Sequence, residues 1–152
     1  MNTTKKAQTQ KPSAPKKPTR VKAGAPLAHG VGRRKRAVAR VWLRRGKGIV
    51  TINGEVANKY FDTDFNRDKV AQPLKIFSHG SNYDIDATVH GGGVNGQADA
   101  VKLGIARAIV ASDEKARKEF RKYRLLTCDS RNKERKKYGQ RGARRKFQFV
   151  KR

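Results

Sequence analysis

Three glycines near the middle of the chain have the spacing of a phosphate-binding loop. Gly91, Gly93 and Gly96 match G-x-G-x-x-G, and Asp113 and Glu114 follow about twenty residues later. In a dinucleotide site, backbone amides at a helix N-terminus hold the pyrophosphate, and the later acid binds the ribose. Here the motif lies between a predicted strand and a predicted helix, which is the context that this chemistry requires.

The chain after the loop argues against a nucleotide cofactor. A dinucleotide fold needs a second parallel strand after the helix, with the acid at the end of that strand. Asp113 and Glu114 instead open another predicted helix, and a basic tail follows. We therefore interpret the glycines as a tight turn with close backbone approach. Contact between the same amides and an RNA phosphate is compatible with that interpretation, and no cofactor is expected.

No other residues have the spacing of a catalytic or metal site. Asp84 and Asp86 share one face of a predicted strand, but no base, nucleophile or metal ligand accompanies them. The three histidines are widely scattered, and Cys128 is the only cysteine, so neither a thiolate metal cluster nor a disulfide framework is expected. The pattern predicts a protein that is not an enzyme, holds no metal and takes no small-molecule substrate.

The distribution of charge indicates the class of partner. The 152 residues include 38 Lys and Arg against 12 Asp and Glu, for a formal net charge of +26. Residues 1–30 carry seven cations and no acid, and residues 115–152 carry seventeen cations and three acids. Nucleic acid is the predicted partner, because neutralised phosphates release condensed counterions. Neither end has the basic amphipathic helix that a membrane surface would require, so no membrane partner is expected.

The last sixteen residues are the most strongly biased part of the chain. Residues 137–152 contain no acid and end with Lys151 and Arg152. Tyr138, Phe147 and Phe149 lie among the cations, and their rings are candidates for stacking on bases. Such a segment has too little apolar content to form a core, so we expect it to stay extended until a polyanion orders it.

The first part of the chain predicts an unstructured arm followed by a β-hairpin. Residues 1–30 hold four of the five prolines, so a disordered basic arm is expected there and ordered structure is expected from about Gly32. This arm has no hydrophobic signal segment, which favours a cytoplasmic location, although an organelle transit peptide stays open. Residues 37–44 and 49–52, separated by turn glycines, predict the two strands of an antiparallel hairpin.

Helices and strands alternate through the rest of the domain. Residues 65–72 predict a helix that Asp64 or Asn66 could cap and Pro73 ends. The further predicted elements are strands at 74–77 and 83–90 and helices at 97–111 and from Ser112 to about Tyr123. We predict an α+β fold, a small antiparallel or mixed sheet with helices packed on one face and extended basic arms at both ends. The domain is expected to span residues 31–125, and the basic tail residues 126–152.

A second group of cations precedes the first predicted strand. Residues 32–36 read G-R-R-K-R, and two further arginines share one face of the strand that follows. A guanidinium binds phosphate through two parallel hydrogen bonds and stacks on bases, so this group predicts contact with an RNA backbone. The candidate residues are Arg33, Arg34, Lys35, Arg36, Arg40 and Arg44.

Taken in order, several motifs resemble those of a known family. They include G-R-R-K-R-A-V-A-R-V at residues 32–41, V-H-G-G-G at 89–93, G-I-A-R-A at 104–108, E-R-K-K-Y-G at 134–139 and the final K-R. Together they are similar to the bacterial-type ribosomal protein S-nine family of the small ribosomal subunit, over about residues 31–152. Residues 1–30 fall outside the resemblance and look like an extension. Val150, Cys128 and Phe147 stand where the family usually has Ser, Arg and Pro.

The resemblance implies a fold, a place and a set of contacts. It implies a domain like the second domain of ribosomal protein S-five, seated in the head of the small subunit against rRNA and neighbouring ribosomal proteins. It implies that the tail crosses the rRNA to the P site, where Lys151 and Arg152 meet the anticodon arm of the bound tRNA. The candidate rRNA contacts in the tail are Arg131, Arg135, Lys136, Lys137, Arg141, Arg144, Arg145 and Lys146.

Two other classes of protein share part of this pattern. A histone-like compactor would have the same charge, but it would bind duplex DNA as well as RNA. A nucleotide-binding enzyme would depend on the glycine loop alone. A structural component of the small ribosomal subunit accounts for the domain and the C-terminal tail together, and it is the function that we predict.

Overall fold

A five-stranded sheet forms one layer of the domain in the computed structural model, which describes residues 25–149. In chain order the strands are β1 (Ala28–Arg34), β2 (Ala37–Arg45), β3 (Val50–Ile52), β4 (Glu55–Val56) and β5 (Tyr83–His90). Their spatial order is β1-β2-β5-β3-β4. Neighbouring strands are antiparallel except β3 and β5, which run parallel. The sheet is therefore mixed.

Four helices of the described chain accompany the sheet, and the longest of them covers one of its faces. They are α1 (Ala57–Tyr60), α2 (Asp64–Ile76), α3 (Val94–Ser112) and α4 (Ala116–Lys122), with a short 3₁₀ turn at Gly80–Asn82. The long helix α3 packs along β1 and β2, and α2 packs on α3. Along β2, Ala39, Val41 and Leu43 are buried under the helices while Arg40 is exposed on the opposite face. The predicted α+β fold with helices on one face is confirmed.

The backbones of β1 and α3 lie in direct contact. A Cβ atom on Gly32 would lie 1.8 Å from the carbonyl oxygen of Ala100, and one on Gly30 would lie 2.2 Å from that of Gly104. These glycines face the helix at positions where a half-buried strand usually has apolar side chains. Because the alternation of apolar and polar residues is therefore absent, the sequence pattern did not predict β1. Ordered structure begins at Ala28 rather than at Gly32, so the last residues of the arm predicted to be disordered belong to a strand.

The predicted hairpin between residues 37–44 and 49–52 is wrong. β2 pairs with β1 on one side and with β5 on the other, and β3 lies beyond β5. The Asp84 carboxylate at the start of β5 explains the route of the chain. Its Oδ1 accepts hydrogen bonds from the backbone N–H groups of Lys47 and Ile49 at 2.8 and 3.0 Å. The glycine-containing segment after β2 is thereby held at β5, and β3 continues on the far side.

Pro73 does not end its helix. α2 continues through Pro73 to Ile76, and Thr63 rather than Asp64 or Asn66 is its N-cap, without a side-chain cap bond. The predicted strand at 74–77 is therefore wrong. Val70, Pro73 and Phe77 recur at helical spacing and are buried in the core. This packing outweighs the local cost of a proline, which lacks the N–H that the helix would use.

The second half of the domain follows the predicted order more closely. β5 begins and ends at the predicted residues, and α3 begins at Val94, earlier than the predicted residue 97. α4 begins at Ala116, because Asp113 is the C-cap of α3 and its Oδ1 accepts a hydrogen bond from the backbone N–H of Lys115 at 2.9 Å. None of the helices within residues 25–149 combines the length and hydropathy needed to cross a membrane.

Candidate nucleic-acid interface

The face of the sheet opposite the helices carries three of the predicted arginines, Arg33, Arg40 and Arg44. Arg33 on β1 and Arg40 on β2 are exposed there, because side chains alternate between faces along a strand. His29 and Trp42 lie opposite each other on the same face, with ring centroids 5.4 Å apart and planes tilted by 45°. This aromatic pair was not predicted from the sequence, because β1 was not predicted. Cations beside flat rings are a combination that suits RNA.

Three other predicted strand and turn positions differ in exposure. Arg44 is half-buried and lies in register with Asp84 across β2 and β5. Lys35 and Arg36 form the turn between β1 and β2, and both are exposed. Lys35 has a left-handed backbone with φ of 52°, and the Cδ of its side chain lies close to Gly96 at the start of α3. The turn therefore places its cations beside the N-terminus of that helix.

Arg34 points to the opposite side of β1 and contacts the start of the C-terminal tail. Residues 125–131 are called the tail root below. Its Nη1 donates to the carbonyl oxygen of Arg131 at 2.8 Å, and its Nη2 lies 2.9 Å from Oδ2 of Asp129. Its Nε lies 4.0 Å from Oδ2 of Asp99 on α3. The Arg34 side chain is only 16% exposed. The structure therefore places this predicted rRNA contact between the domain and its own tail.

Further contacts hold the tail root against the domain. Leu125 is buried, and Leu126 packs against the core. The thiol of Cys128 donates to the carbonyl oxygen of Arg33 at 3.2 Å. The tail therefore departs beside β1 in a direction set by these contacts. After Lys122 the described chain forms neither helix nor strand.

Both acids of the described tail are paired with tail arginines. Nη2 of Arg131 lies 2.7 Å from Oδ2 of Asp129, and the hydrogen bonds and charge of this guanidinium hold the pKa of Asp129 well below its usual range. Arg144 donates from Nε to both carboxylate oxygens of Glu134 at 3.1 Å and lowers the pKa of Glu134 in the same way. The pKa values of Arg131 and Arg144 are raised by the same pairing.

The remaining predicted cations of the tail are exposed around a compact turn. The backbone N–H of Arg141 donates to the carbonyl oxygen of Arg145 at 2.9 Å, and that of Lys137 donates to Gly142 at 3.4 Å. The exposed cations are Arg135, Lys136, Lys137, Arg141, Arg145 and Lys146. They lie along one short stretch of chain that is not covered by the domain.

The three predicted stacking rings have different surroundings. Tyr138 is 95% exposed and Phe149 is fully exposed. The guanidinium carbon of Arg141 lies 5.4 Å from the ring centroid of Phe147, which is a cation–π contact. Tyr138 and Phe149 therefore present their rings to solvent, and one side of Phe147 is already occupied. Lys151 and Arg152, the predicted tRNA contacts, lie outside the described residues, as does Val150.

The glycine loop has the geometry of a tight turn. Gly91 and Gly92 have φ values of +71° and +66°, and a Cβ on Gly91 would lie 2.6 Å from the carbonyl oxygen of Arg36. The structure confirms close backbone approach at Gly91, and shows it at Gly92 beside it, but not at Gly93, where a Cβ would meet no atom of the described chain within 4 Å. In the described part of the chain, α3 is followed by α4 and the tail rather than by a parallel strand. The same residues contain no cluster of His, Cys, Asp and Glu that could hold a metal ion.

Comparison with known proteins identifies similar chains. A family profile described as ribosomal protein S9/S16 matches residues 32–152. The small ribosomal subunit protein uS9 of Cytophaga hutchinsonii is 48% identical over 126 residues, which are 83% of this chain and 98% of that protein. The uS9 protein of Treponema pallidum (strain Nichols) is 51% identical over 126 residues, with the same two coverages. That of Chlorobium phaeobacteroides is 49% identical over 122 residues, 80% of this chain and 95% of the relative.

Proposed function

The chain belongs to the ribosomal protein S9 family, and from this premise we propose that it binds small-subunit rRNA in the head of the subunit and reaches the P-site tRNA with its tail. Membership makes it a structural constituent of the small ribosomal subunit and not an enzyme. We also propose that it contacts neighbouring ribosomal proteins of the head and that the ribosome is a cytoplasmic one.

The observation that carries rRNA binding is the excess of cations over acids in the tail. Residues 126–149 contain nine cations and two acids, and each acid is paired with a tail arginine. A chain without helix or strand can follow an RNA backbone, and its exposed cations neutralise phosphates with release of counterions. Recognition of this kind depends on backbone and shape, because the deep groove of A-form RNA shows side chains little sequence information.

The domain adds a cationic edge, built on paired strands, to this tail. Arg33 and Arg40 lie on the open face of the sheet, and Lys35 and Arg36 occupy the adjoining turn. Side chains on paired strands keep fixed spacings, so they can match a fixed set of phosphates on folded rRNA. We assign Arg34 to the tail root rather than to rRNA, since its contacts lie within the chain.

Length and anchoring support the proposed contact with tRNA. The tail root is held at Asp129 and Arg131 by Arg34. The turn around residues 137–145 and the pair between Arg144 and Glu134 must open before the chain from Arg131 to Arg152 is fully extended, and it then spans up to about 70 Å. A cationic segment of that reach can leave the body of the domain and carry Lys151 and Arg152 to a second RNA.

Charge removal on the tail tests rRNA binding. In the triple variant Arg135→Gln, Lys136→Gln, Lys137→Gln, we expect weaker binding to a head-domain rRNA transcript and a salt slope reduced by about two to three. The matched control removes three exposed cations from the α4 segment through Lys118→Gln, Arg121→Gln, Lys122→Gln. Equal losses in both variants, measured by filter binding at several salt concentrations, would show that only total charge matters and would contradict the proposal.

Removal of the chain end tests tRNA contact separately. Subunits carrying the chain without Lys151 and Arg152 are expected to assemble normally and to bind P-site tRNA more weakly, by about two- to tenfold. The control replaces Lys5 and Lys6 at the other end of the chain with Gln. An unchanged tRNA affinity of the deletion at every salt concentration would overturn the tail assignment while leaving rRNA binding intact.

A further inference from the structure

The open face of the sheet holds Trp42, the single tryptophan of the chain. It lies on β2, in the interior of the sheet, and it is half-buried. The helix α3 packs on the opposite face of β2, and the indole is not part of the core that this helix covers. Tryptophan is a frequent anchor of interfaces. Its position on the face that the described helices leave open therefore points to a partner outside the domain.

The register of the strands fixes the neighbours of the indole. Trp42 lies opposite His29 on β1 and opposite Asp86 on β5. Side chains directly opposite each other in an antiparallel pair have Cβ atoms about 5 Å apart. The planes of the His29 and Trp42 rings are tilted by 45°, so the two rings are not stacked face to face. The indole therefore has an aromatic neighbour on one side and a carboxylate on the other.

Asp86 has no structural role comparable with that of Asp84, the acid two residues before it on the same face. Asp84 accepts hydrogen bonds from the backbone N–H groups of Lys47 and Ile49. Within residues 25–149, no group is hydrogen-bonded to or ion-paired with the Asp86 carboxylate. The residue is partly exposed, so a ligand on the sheet face can reach it. The site therefore presents a carboxylate acceptor beside a flat ring.

Arg40 supplies positive charge next to the indole. It precedes Trp42 by two residues on the same face of β2, which places the two Cα atoms about 7 Å apart, and it is exposed. Arg33 on β1 continues the exposed positive charge along this face. The charge is complementary to phosphate. It disfavours residues 1–24 as an occupant, because they carry seven cations and no acid.

We propose that the open face of the sheet binds one unpaired guanine of an RNA strand. The base lies against the indole of Trp42, and the Asp86 carboxylate accepts hydrogen bonds from N1–H and the 2-amino group of the base. Arg40 binds the phosphate of the same or the adjacent nucleotide. The proposal deepens the proposed rRNA binding and rests on it.

The chemistry of the four bases selects guanine. Its Watson–Crick edge has two adjacent donors, which match the two oxygens of a carboxylate, whereas adenine, cytosine and uracil each have one donor position on that edge. Unpaired bases of folded RNA leave this edge and their faces free, and proteins bind them by stacking on aromatic side chains. A paired guanine offers neither its edge nor an open face to the site.

Short RNA strands with one variable base test the site in the full-length chain. Uridine oligonucleotides of about seven nucleotides carry guanosine, inosine, adenosine or uridine at the centre. Because Trp42 is the single tryptophan, quenching of its emission reports binding at this site. We expect the quenching midpoint for the guanosine strand to lie at about tenfold lower concentration than for the uridine strand. Inosine, which lacks the 2-amino group, is expected to be intermediate.

Replacement of the acid gives the sharpest test. Asp86→Asn adds one unit of positive charge, which strengthens nonspecific binding to RNA. We nevertheless expect this variant to lose the preference for guanosine over adenosine. Glu119→Gln is the matched control, since it changes the net charge equally at an exposed position of α4 and is expected to keep that preference. A preference for guanosine that persists in Asp86→Asn would overturn the proposal.

Replacement of the ring tests stacking. Trp42→Leu is expected to bind the guanosine strand at least about fivefold more weakly, measured by anisotropy of a label on the RNA. Tyr123→Leu removes an exposed aromatic side chain at the end of α4 and is expected to keep the full affinity. If Trp42→Leu does not fold, Asp86→Asn still decides the proposal, because its substitution removes no contact within the described chain.

The remaining outcomes separate this site from the function on which it rests. If a head-domain rRNA transcript binds with salt dependence and neither it nor the short strands change the Trp42 emission, the guanine site is wrong and rRNA binding stands. If no RNA binds, both proposals fail. Equal quenching by a duplex that contains the same guanosine would overturn base stacking.

Three results would assign the face to another occupant and overturn the proposal. Displacement of the guanosine strand by an excess of free guanosine 5′-monophosphate would identify a site for soluble nucleotides. Protection of Trp42 from acrylamide in the RNA-free chain, lost when residues 1–24 are deleted, would identify that segment as the occupant. Protection in assembled small subunits, without any response to RNA alone, would identify a neighbouring protein.

Discussion

Adjacent cations of one basic run have different tasks because a strand turns successive side chains to opposite faces. Arg33 lies on the open face of the sheet, Arg34 binds the tail root, and Lys35, in the turn that follows, lies beside the N-terminus of α3. The sequence alone predicted the cationic run and its affinity for phosphate. It could not assign individual side chains, because β1 has glycines where apolar residues would reveal its alternation. The contact between Arg34 and Asp129 joins residues almost a hundred positions apart, and no local pattern contains it.

Replacement of Arg34 tests its role as the anchor of the tail. In Arg34→Gln we expect amide hydrogen exchange at residues 125–131 to become about two- to fivefold faster, the range for a partly exposed ion pair. Arg33→Gln is the matched control, since it removes the same charge from the neighbouring position on the other face. Similar exchange rates in the two variants would show that Arg34 does not hold the tail root.

A fall in pH is expected to break the contact between Asp129 and Arg34. The hydrogen bonds and charge of Arg131 hold the pKa of Asp129 below its usual value, which is about 3.9 for a free aspartate. A carboxyl group whose folded pKa is lowered contributes stability above its unfolded pKa, and that contribution is lost as the pH falls further. We expect the amide chemical shifts of Leu126 and Cys128 to change below about pH 4 in the wild-type chain. The Asp129→Asn variant should lack this transition, and a transition of the same size there would assign it to another group.

At the scale of elements, the contact between β1 and α3 determines how the sheet is covered. The predictions succeeded for β5 and for the bulk of α3, because their apolar periodicities are long and regular. They failed for the pairing of β2 and β3, which depends on hydrogen bonds from two distant backbone groups to Asp84. They failed at Pro73, where burial in the core outweighs a helix-breaking preference. Tertiary contacts decided both cases.

The same substitution at two glycines tests this contact. Gly32→Ala places a methyl group where the carbonyl oxygen of Ala100 would be 1.8 Å away, so β1 must move from α3. We expect the free energy of unfolding to fall by at least about 2 kcal/mol. Gly93→Ala, which meets no atom within 4 Å, is expected to cost less than about 1 kcal/mol. Urea unfolding of both variants measures the difference, and equal losses would contradict direct backbone packing.

At the scale of the whole molecule, most of the excess positive charge of residues 31–152 lies after residue 114. Residues 31–114 have fourteen cations and nine acids, whereas residues 115–152 have seventeen and three. The part of the domain before α4 therefore has an ordinary charge balance, while the cations of α4 and the tail repel one another and attract a polyanion. Composition was sufficient to predict this class of partner. It could not identify which RNA each part contacts, because backbone recognition leaves little trace in the spacing of the cations.

Self-repulsion on this scale predicts a dependence of stability on salt. For the isolated chain, raising monovalent salt from about 20 mM to about 500 mM shortens the screening length to a few ångströms and weakens repulsion among the cations. We expect the midpoint of thermal unfolding to rise over this range. A lower midpoint at high salt would mean that attractive pairs such as Lys69 with Asp99 dominate the electrostatics instead.

Sedimentation of the tagged full-length chain from a gently prepared lysate, with and without ribonuclease, tests the central claim most directly. We expect the chain to migrate with small ribosomal subunits and to leave that fraction when the RNA is digested. Migration as free protein, or with DNA before and after ribonuclease, would contradict assembly into the small subunit through rRNA.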